Sequence, residues 1–267
     1  MTSRRLSELS SPEAERRIGT DSILLCPVGA IEQHGPHLPL GTDLIVVDAF
    51  ADAVVDDVGD ELDVWLLPSI PVSKSNEHAW SAGTLWVGPE TALAMMRDIG
   101  RSLGTLPARK LVFLNGHGGN SGLLDVACRE LRLEFGLETF LAHAALPPDH
   151  GGDGAPEEAG QGIHGGVGET SLMLHIRPDL VDLSLAEPAV PTWLTAYPNL
   201  RFGGTTSFGW LSNDFASGGV IGDPTLADAD RGKAAFEDGV QHLATVLREI
   251  AAFRFPEAMP EPRNSQS

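Results

Sequence analysis

Lys110-Leu111-Val112-Phe113-Leu114-Asn115-Gly116-His117-Gly118-Gly119-Asn120 decides the fold class. A short apolar run rich in β-formers enters a glycine-rich turn. It is followed by Leu123, Ala127, Leu131 and Phe135 at four-residue spacing, which places them on one face of a helix. The same strand, turn and helix unit recurs outward from this stretch. Upstream, the apolar run 23–28 leads through a loop into a helix expected over 44–55, and residues 62–67 read as a second strand. Residues 89–103 open with Pro89 and Glu90 in a first turn and carry Leu93, Met96 and Leu103 on one side, as a sheet-covering helix would. Downstream, 139–145 is a further strand, and Phe236, Val240, Leu243, Val246 and Ile250 mark a long amphipathic helix. Strands that alternate with helices predict an α/β fold with a mainly parallel sheet.

The 267 residues are enough for one large core, so a polar extension over 1–20, a single catalytic domain over 21–255 and a mobile Pro-rich tail over 256–267 are expected. Hydrophobic content is 42%, no apolar run approaches a membrane span, and the amino terminus lacks a signal-peptide core, which predicts a cytoplasmic protein. A formal charge of -19 excludes a nucleic-acid partner and an anionic membrane, since both would be repelled over most of the surface. Cys26 and Cys128 share no CxxC or Cys-His spacing and read as buried free thiols. Residues 147–162 turn rich in Pro, Gly, Asp and Glu and predict a long functional loop; 191–222 show no periodicity and suit a pocket wall or an oligomer contact.

Chemistry concentrates in Glu32-Gln33-His34-Gly35-Pro36-His37-Leu38-Pro39-Leu40-Gly41-Thr42-Asp43. Carboxylates and imidazoles are what a borderline or hard divalent cation binds, and the prolines and glycines make the loop a stiff one. Glu32 and His34, two apart, project to one side of an extended stretch, and Asp43 closes the loop. The plainer reading is that Glu32 and His34 are solvated and Asp43 caps the following helix. His117 stands at the end of a strand among Gly116, Gly118 and Gly119, which let a ligand approach the backbone; in parallel sheets that edge is where sites form. A third group, His164-Gly165-Gly166-Val167-Gly168-Glu169-Thr170-Ser171, offers a carboxylate and an imidazole for proton transfer, although Glu169 also suits helix capping. In Ser75-Asn76-Glu77-His78, His78 reads either as a substrate contact or as an exposed histidine. His143, His150, His175 and His242 lack supporting neighbours and are read as structural.

These three blocks, in this order, resemble the signature blocks of the creatininase family over about residues 23–250. The resemblance implies a three-layer α/β/α fold, two divalent ions (zinc, manganese or iron), hydrolysis of amide-type C–N bonds and often a homohexamer acting on a small-molecule substrate. By it, Glu32 and His117 hold one ion, His34 the second, and Asp43 bridges both, while His37 keeps a loop-shaping role. Creatininase has a glutamate two residues after the histidine of its second block, completing the second metal; this chain has Gly119 there, and Glu169 is expected to fill the vacancy. His164 matches the family's proton-shuttling histidine, and His78, Gly118 and Gly119 would line the substrate. The tryptophans that creatininase places around its substrate have no clear partners in this sequence. A dinuclear pair activates water and polarises a carbonyl together. The leading expectation is therefore a hydrolase of carbon–nitrogen bonds other than peptide bonds, acting on a cyclic amide or formamide. Two alternatives stay open. One is a peptidase-like member that trims a precursor peptide ending in Val-Tyr during redox-cofactor (mycofactocin-type) maturation; the other is a non-catalytic metal-binding scaffold.

Overall fold

The computed structural model describes residues 3–144, 154–203 and 206–256. Its centre is a four-stranded, wholly parallel sheet of β1 (Ile23–Val28), β2 (Val64–Leu66), β3 (Lys110–Asn115) and β4 (Glu138–His143), in the order β2-β1-β3-β4. Every residue of β1, β2 and β3 is buried, as a parallel sheet with both faces covered requires.

The period of two sorts the strand side chains into two cores. Ile23, Leu25, Val112 and Leu114 face α2 (Thr42–Leu62), α5 (Val167–Ile176) and α6 (Ala229–Ala252). Leu24, Cys26, Leu111 and Phe113 face α3 (Pro89–Leu103) and α4 (Ser121–Phe135). Each large side chain buried here contributes about 1.5–3 kcal/mol. The result is the three-layer α/β/α arrangement expected above. Cys26 and Cys128 are both free and buried; burial pushes their thiols up to about 12 and about 11, so they are inert.

Some boundaries differ from the sequence reading. α2 begins at Thr42 and runs on to Leu62, where Asp63 adopts a left-handed conformation (φ 51) and redirects the chain, so β2 starts at Val64 instead of 62. β4 starts one residue earlier than expected and ends at His143; Ala145 lies outside the described residues, as do 147–153 of the 147–162 loop, with His150 among them, and the tail from 257. Within the extension expected over 1–20 the structure has a 3-10 turn at Leu6–Glu8 and α1 (Ser11–Arg17), and Ile18 joins the core cluster of Trp65 and Leu24. Residues 191–222 are irregular apart from short 3-10 turns, and enclose a small apolar cluster of their own around Leu194, Phe202 and Ile221. Among the described residues no helix is long and apolar enough to cross a membrane.

Candidate metal centre and active site

β1 and β3 end side by side, and the loops that leave them converge above the sheet. After β1, the Glu32 N–H donates to the Leu40 carbonyl (2.9 Å), closing the loop on itself. Gly35 turns it at φ +76, where a Cβ would stand 2.4 Å from Val220 Cγ2. Asp43 is not the helix cap: Gly41 holds that position, and Asp43 lies in the first turn of α2 with its carboxylate buried. After β3, the Asn115 side chain clamps the glycine-rich turn, accepting from the His117 N–H (3.2 Å) and donating to the His117 carbonyl (2.8 Å) and Ser121 Oγ (3.0 Å). The turn lies so close to α2 that a Cβ on Gly116 would be 2.9 Å from the Asp43 carbonyl, and this closeness brings His117 to Asp43.

Asp43 sits between two imidazoles. His34 Nε2 is 3.0 Å from Oδ1, and His117 Nδ1 is 3.1 Å from Oδ2. The far nitrogen of each ring is held by a backbone carbonyl: His34 Nδ1 donates to Glu32 O (3.2 Å) and His117 Nε2 to Lys74 O (3.1 Å). Each ring therefore turns its other nitrogen toward Asp43, the nitrogen that would be free to bind a cation once its proton has left. The donors fall into two groups that share Asp43, namely Glu32, Asp43 and His117, and His34, Asp43 and Glu169; Glu32 and His34 also approach His164. Glu32 Oε1 and Asp43 Oδ2 are buried without a hydrogen-bond partner. Such oxygens are costly unless a cation or water completes them. The residues present thus fit divalent metal ions.

The electrostatics carry the same message. Burial lowers His34, but Asp43, Glu169 and Glu32 outweigh it and hold the ring up at about 10. His117 is likewise raised well above its ordinary value by Glu32, Asp43 and Glu77 against burial. Burial acts to raise Asp43, yet His34 and His117 keep it well below the usual carboxylate range. Burial pushes Glu32 up to about 8 and Glu169 up to about 6. Histidines that keep protons beside carboxylates form a ligand set whose countercharge comes from outside.

His164 is placed by a two-residue ladder: its N–H donates to the Ile221 carbonyl (3.2 Å) and its carbonyl accepts from the Ile221 N–H (2.8 Å). Its Nε2 donates to the Gln33 carbonyl (2.6 Å), so in the neutral ring the lone pair is on Nδ1, 3.6 Å from Glu32 Oε1. Burial and the neighbouring His34 hold it well below its ordinary value, hence neutral. His78, open between two readings in the sequence, is buried; Nδ1 accepts from Gln33 Nε2 (2.9 Å) and Nε2 lies 3.4 Å from Glu32 Oε1. His37 packs behind the loop, with Nε2 3.0 Å from Thr170 Oγ1 of α5. Glu169 does two things at once: Oε2 accepts from the Gly165 N–H (2.6 Å), as a capping carboxylate would, and lies 3.9 Å from His34 Nε2.

Two adjoining clefts open on this cluster. The inner one, about 30 Å³, is lined by Glu32, Glu77, His78, Gly118, Gly119 and Trp210 among others. The outer one, about 340 Å³, runs past Asp43, His117, His164 and Glu169 to Glu158 and Arg231.

The family model for creatininase (creatinine amidohydrolase) matches residues 7–247. The chain belongs to the creatininase family. Creatininase relatives include a mycofactocin precursor peptide peptidase of Mycobacterium ulcerans, 37% identical over 88% of either chain, and a creatinine amidohydrolase of Pseudomonas putida, 30% identical over 91% of this chain and 96% of the relative. Among solved structures, creatininase itself (creatinine amidohydrolase) superposes with a TM-score of 0.72 at 28% identity, covering 93% of this chain and 98% of the other. A manganese form of creatininase gives 0.72 at 29% identity, with the same shares covered. The creatininase family consists of hydrolases, and the donor clusters described above suit the divalent ions with which such neighbours are found.

Four residues of this site have places that the sequence reading did not assign to them. Gln33 braces His78 and His164 from between, Ser75 donates to Glu32 Oε2, Glu77 backs His117, and Trp210 walls the inner cleft. Glu77 had a signal, a carboxylate next to a candidate histidine. Trp210 had none, since nothing in its irregular segment fixes which way a side chain points.

Proposed function

We propose that this chain is a metal-dependent amide hydrolase whose substrate is a short precursor peptide cut near its carboxyl end, with Glu32, His34, Asp43, His117 and Glu169 holding two divalent cations. The observation that carries the peptide reading is the outer cleft. Its volume falls in the range of ligand-binding sites, and among the described residues lining it Arg231 is the sole lysine or arginine, with Nη1 held 3.2 Å from Glu157 Oε1 and its other nitrogens open to a carboxylate. A terminal carboxylate matches a guanidinium; an uncharged cyclic amide has no use for one. The peptidase relative of Mycobacterium ulcerans supports the same choice.

When bound, the cations supply an activated water and polarise the scissile carbonyl. The remaining steps belong to the protein. His164 starts neutral, so Nδ1 takes a proton from the attacking water and passes it to the departing nitrogen, while the bond from Nε2 to the Gln33 carbonyl keeps the ring from turning. Glu32 and Asp43 are held by α2, the Ser75 hydroxyl and the two histidines, which keeps them from relaxing during the reaction.

A second reading, hydrolysis of a small cyclic amide or formamide, is favoured by the inner cleft, where Trp210 and His78 enclose only about 30 Å³. The deciding experiment offers metal-reconstituted protein a synthetic precursor peptide ending in Val-Tyr alongside creatinine, lactams and formamides, with release followed by mass spectrometry. Peptide cleavage that disappears in Glu32→Ala and Asp43→Ala, with KM raised in Arg231→Ala, is the expected outcome. Faster turnover of a cyclic amide than of any peptide would overturn the substrate, and stoichiometric metal without turnover on the whole panel would overturn catalysis in favour of a binding scaffold.

A further inference from the structure

Gly119 occupies the position where creatininase carries a glutamate, and the structure shows what has taken that space. A Cβ built on Gly119 would lie 1.8 Å from Glu77 Oε1 and 2.5 Å from His117 Nε2. The backbone there is not in the left-handed region, so collision is what excludes a side chain. Glu77 comes from a different loop, the 3-10 turn Asn76–His78. Its carboxylate is buried and divided in use: Oε2 accepts from Lys74 Nζ (2.5 Å), and Oε1 faces His117 Nε2 at 3.4 Å.

We propose that Glu77 is a positioning residue for His117, which together with the Lys74 carbonyl holds the ring on its Nε2–H side so that Nδ1 is left for the cation shared with Glu32 and Asp43. The inference rests on the metal-site reading given above. Three observations support it independently of any relative. His117 Nδ1 lies 3.1 Å from Asp43 Oδ2, whereas Nε2 lies 3.1 Å from the Lys74 carbonyl, 3.3 Å from Glu32 Oε2 and 3.4 Å from Glu77 Oε1. The Lys74 carbonyl accepts at Nε2, which identifies that nitrogen as the protonated one. The Lys74 ammonium anchors the other carboxylate oxygen, so Glu77 swings toward the cations only by breaking a part-buried pair. A carboxylate behind a metal-binding imidazole fixes its tautomer and raises its basicity. On this reading the Glu77 carboxylate and the His117 ring occupy the space that a side chain at position 119 would need, and glycine there leaves it to them.

The test uses full-length protein stripped of metal and titrated with zinc against a chromophoric chelator. Wild type should take up two ions. Glu77→Ala should weaken one of them by ~10–100-fold and leave the other unchanged. Glu77→Gln, which keeps an acceptor oxygen at the same reach, should recover part of the loss. Gly119→Ala should reproduce the Glu77→Ala defect by displacing the carboxylate, and the double variant should be no worse than either single one. Nitrogen-15 spectra of the zinc-loaded protein should show the His117 metal bond at Nδ1 and the proton at Nε2. A metal bond at Nε2, or zinc affinity in Glu77→Ala within twofold of wild type, would overturn the role of Glu77 while leaving the metal centre standing. Wild type that binds no zinc would instead overturn the metal reading, and this inference with it.

Discussion

The two ends of the same sheet are finished in opposite ways. At the amino ends of the strands every notable polar group has its partner: Trp65 Nε1 donates to Asp63 Oδ1 (3.0 Å), Ser22 Oγ bonds Asp63 Oδ2, and Arg4 Nη1 closes on Asp63 Oδ1 (2.5 Å). Lys110, buried at the start of β3, donates to the carbonyls of Ile250, Ala251 and Phe253 at the end of α6. A cation on the last carbonyls of a helix is favoured by their partial negative charge. At the carboxyl ends Glu32 and Asp43 are as deeply buried, yet each keeps an oxygen unpartnered. One end is closed for stability; the other is held short of satisfaction until a ligand arrives.

That contrast can be broken most directly at Glu32. Glu32→Gln should lower turnover by at least about 1000-fold, equivalent to ~4 kcal/mol of transition-state stabilisation, as measured by steady-state kinetics on whichever amide is cleaved. The same change should make the metal-free protein more stable at pH 8. Glu32 is pushed up from 4.5 to about 8 in the folded state, so between those values the unfolded chain gives up its proton first and stability falls as pH rises. Melting curves of metal-free wild type should show that decline between pH 4.5 and 8, and Glu32→Gln should lose this contribution to it; parallel profiles would show that the carboxylate is not strained.

Zinc or manganese at a hundredfold excess over Kd should stabilise wild type by about 2.7 kcal/mol per site, and a chelator should reverse the gain. An unchanged melting temperature would mean that the carboxyl end is satisfied as it stands. Lys110→Met addresses the opposite end. It should cost ~1–3 kcal/mol in denaturant unfolding by leaving carbonyls of α6 without a donor, with kcat and metal stoichiometry intact. If the substitution removed metal instead, the two ends would not be independent.

The sheet was legible in the sequence because buried parallel strands are apolar without interruption, and the α3 boundaries were legible because Pro89 and Glu90 mark a first turn. The end of α2 was not, since Leu62 continues an apolar pattern and only a left-handed Asp63 separates helix from strand. In the site, the density of donors in residues 32–43 pointed to a ligand loop, and the structure gathers Glu32, His34 and Asp43 with His117 and Glu169. The supporting residues were hidden for a physical reason. Glu77, Gln33 and Trp210 act through where a loop happens to pass, and loops have no period from which a direction can be read.

The irregular segment 191–222 encloses its own cluster of Leu194, Phe202 and Ile221, packed with Trp210 and Phe215, separate from both cores against the sheet. It is tied to the site at one end, where Ile221 bonds His164 twice through the backbone and the Gly219 carbonyl accepts from Gln33 Nε2 (3.2 Å). The candidate metal donors stand in the loops that leave β1 and β3 and in the first turns of α2 and α5, whereas Trp210 reaches the inner cleft from a segment with an apolar cluster of its own. Substitution of Trp210 can therefore reshape what the inner cleft admits without touching the candidate donors, whereas changes around Gly219 and Ile221 would also move Gln33 and His164.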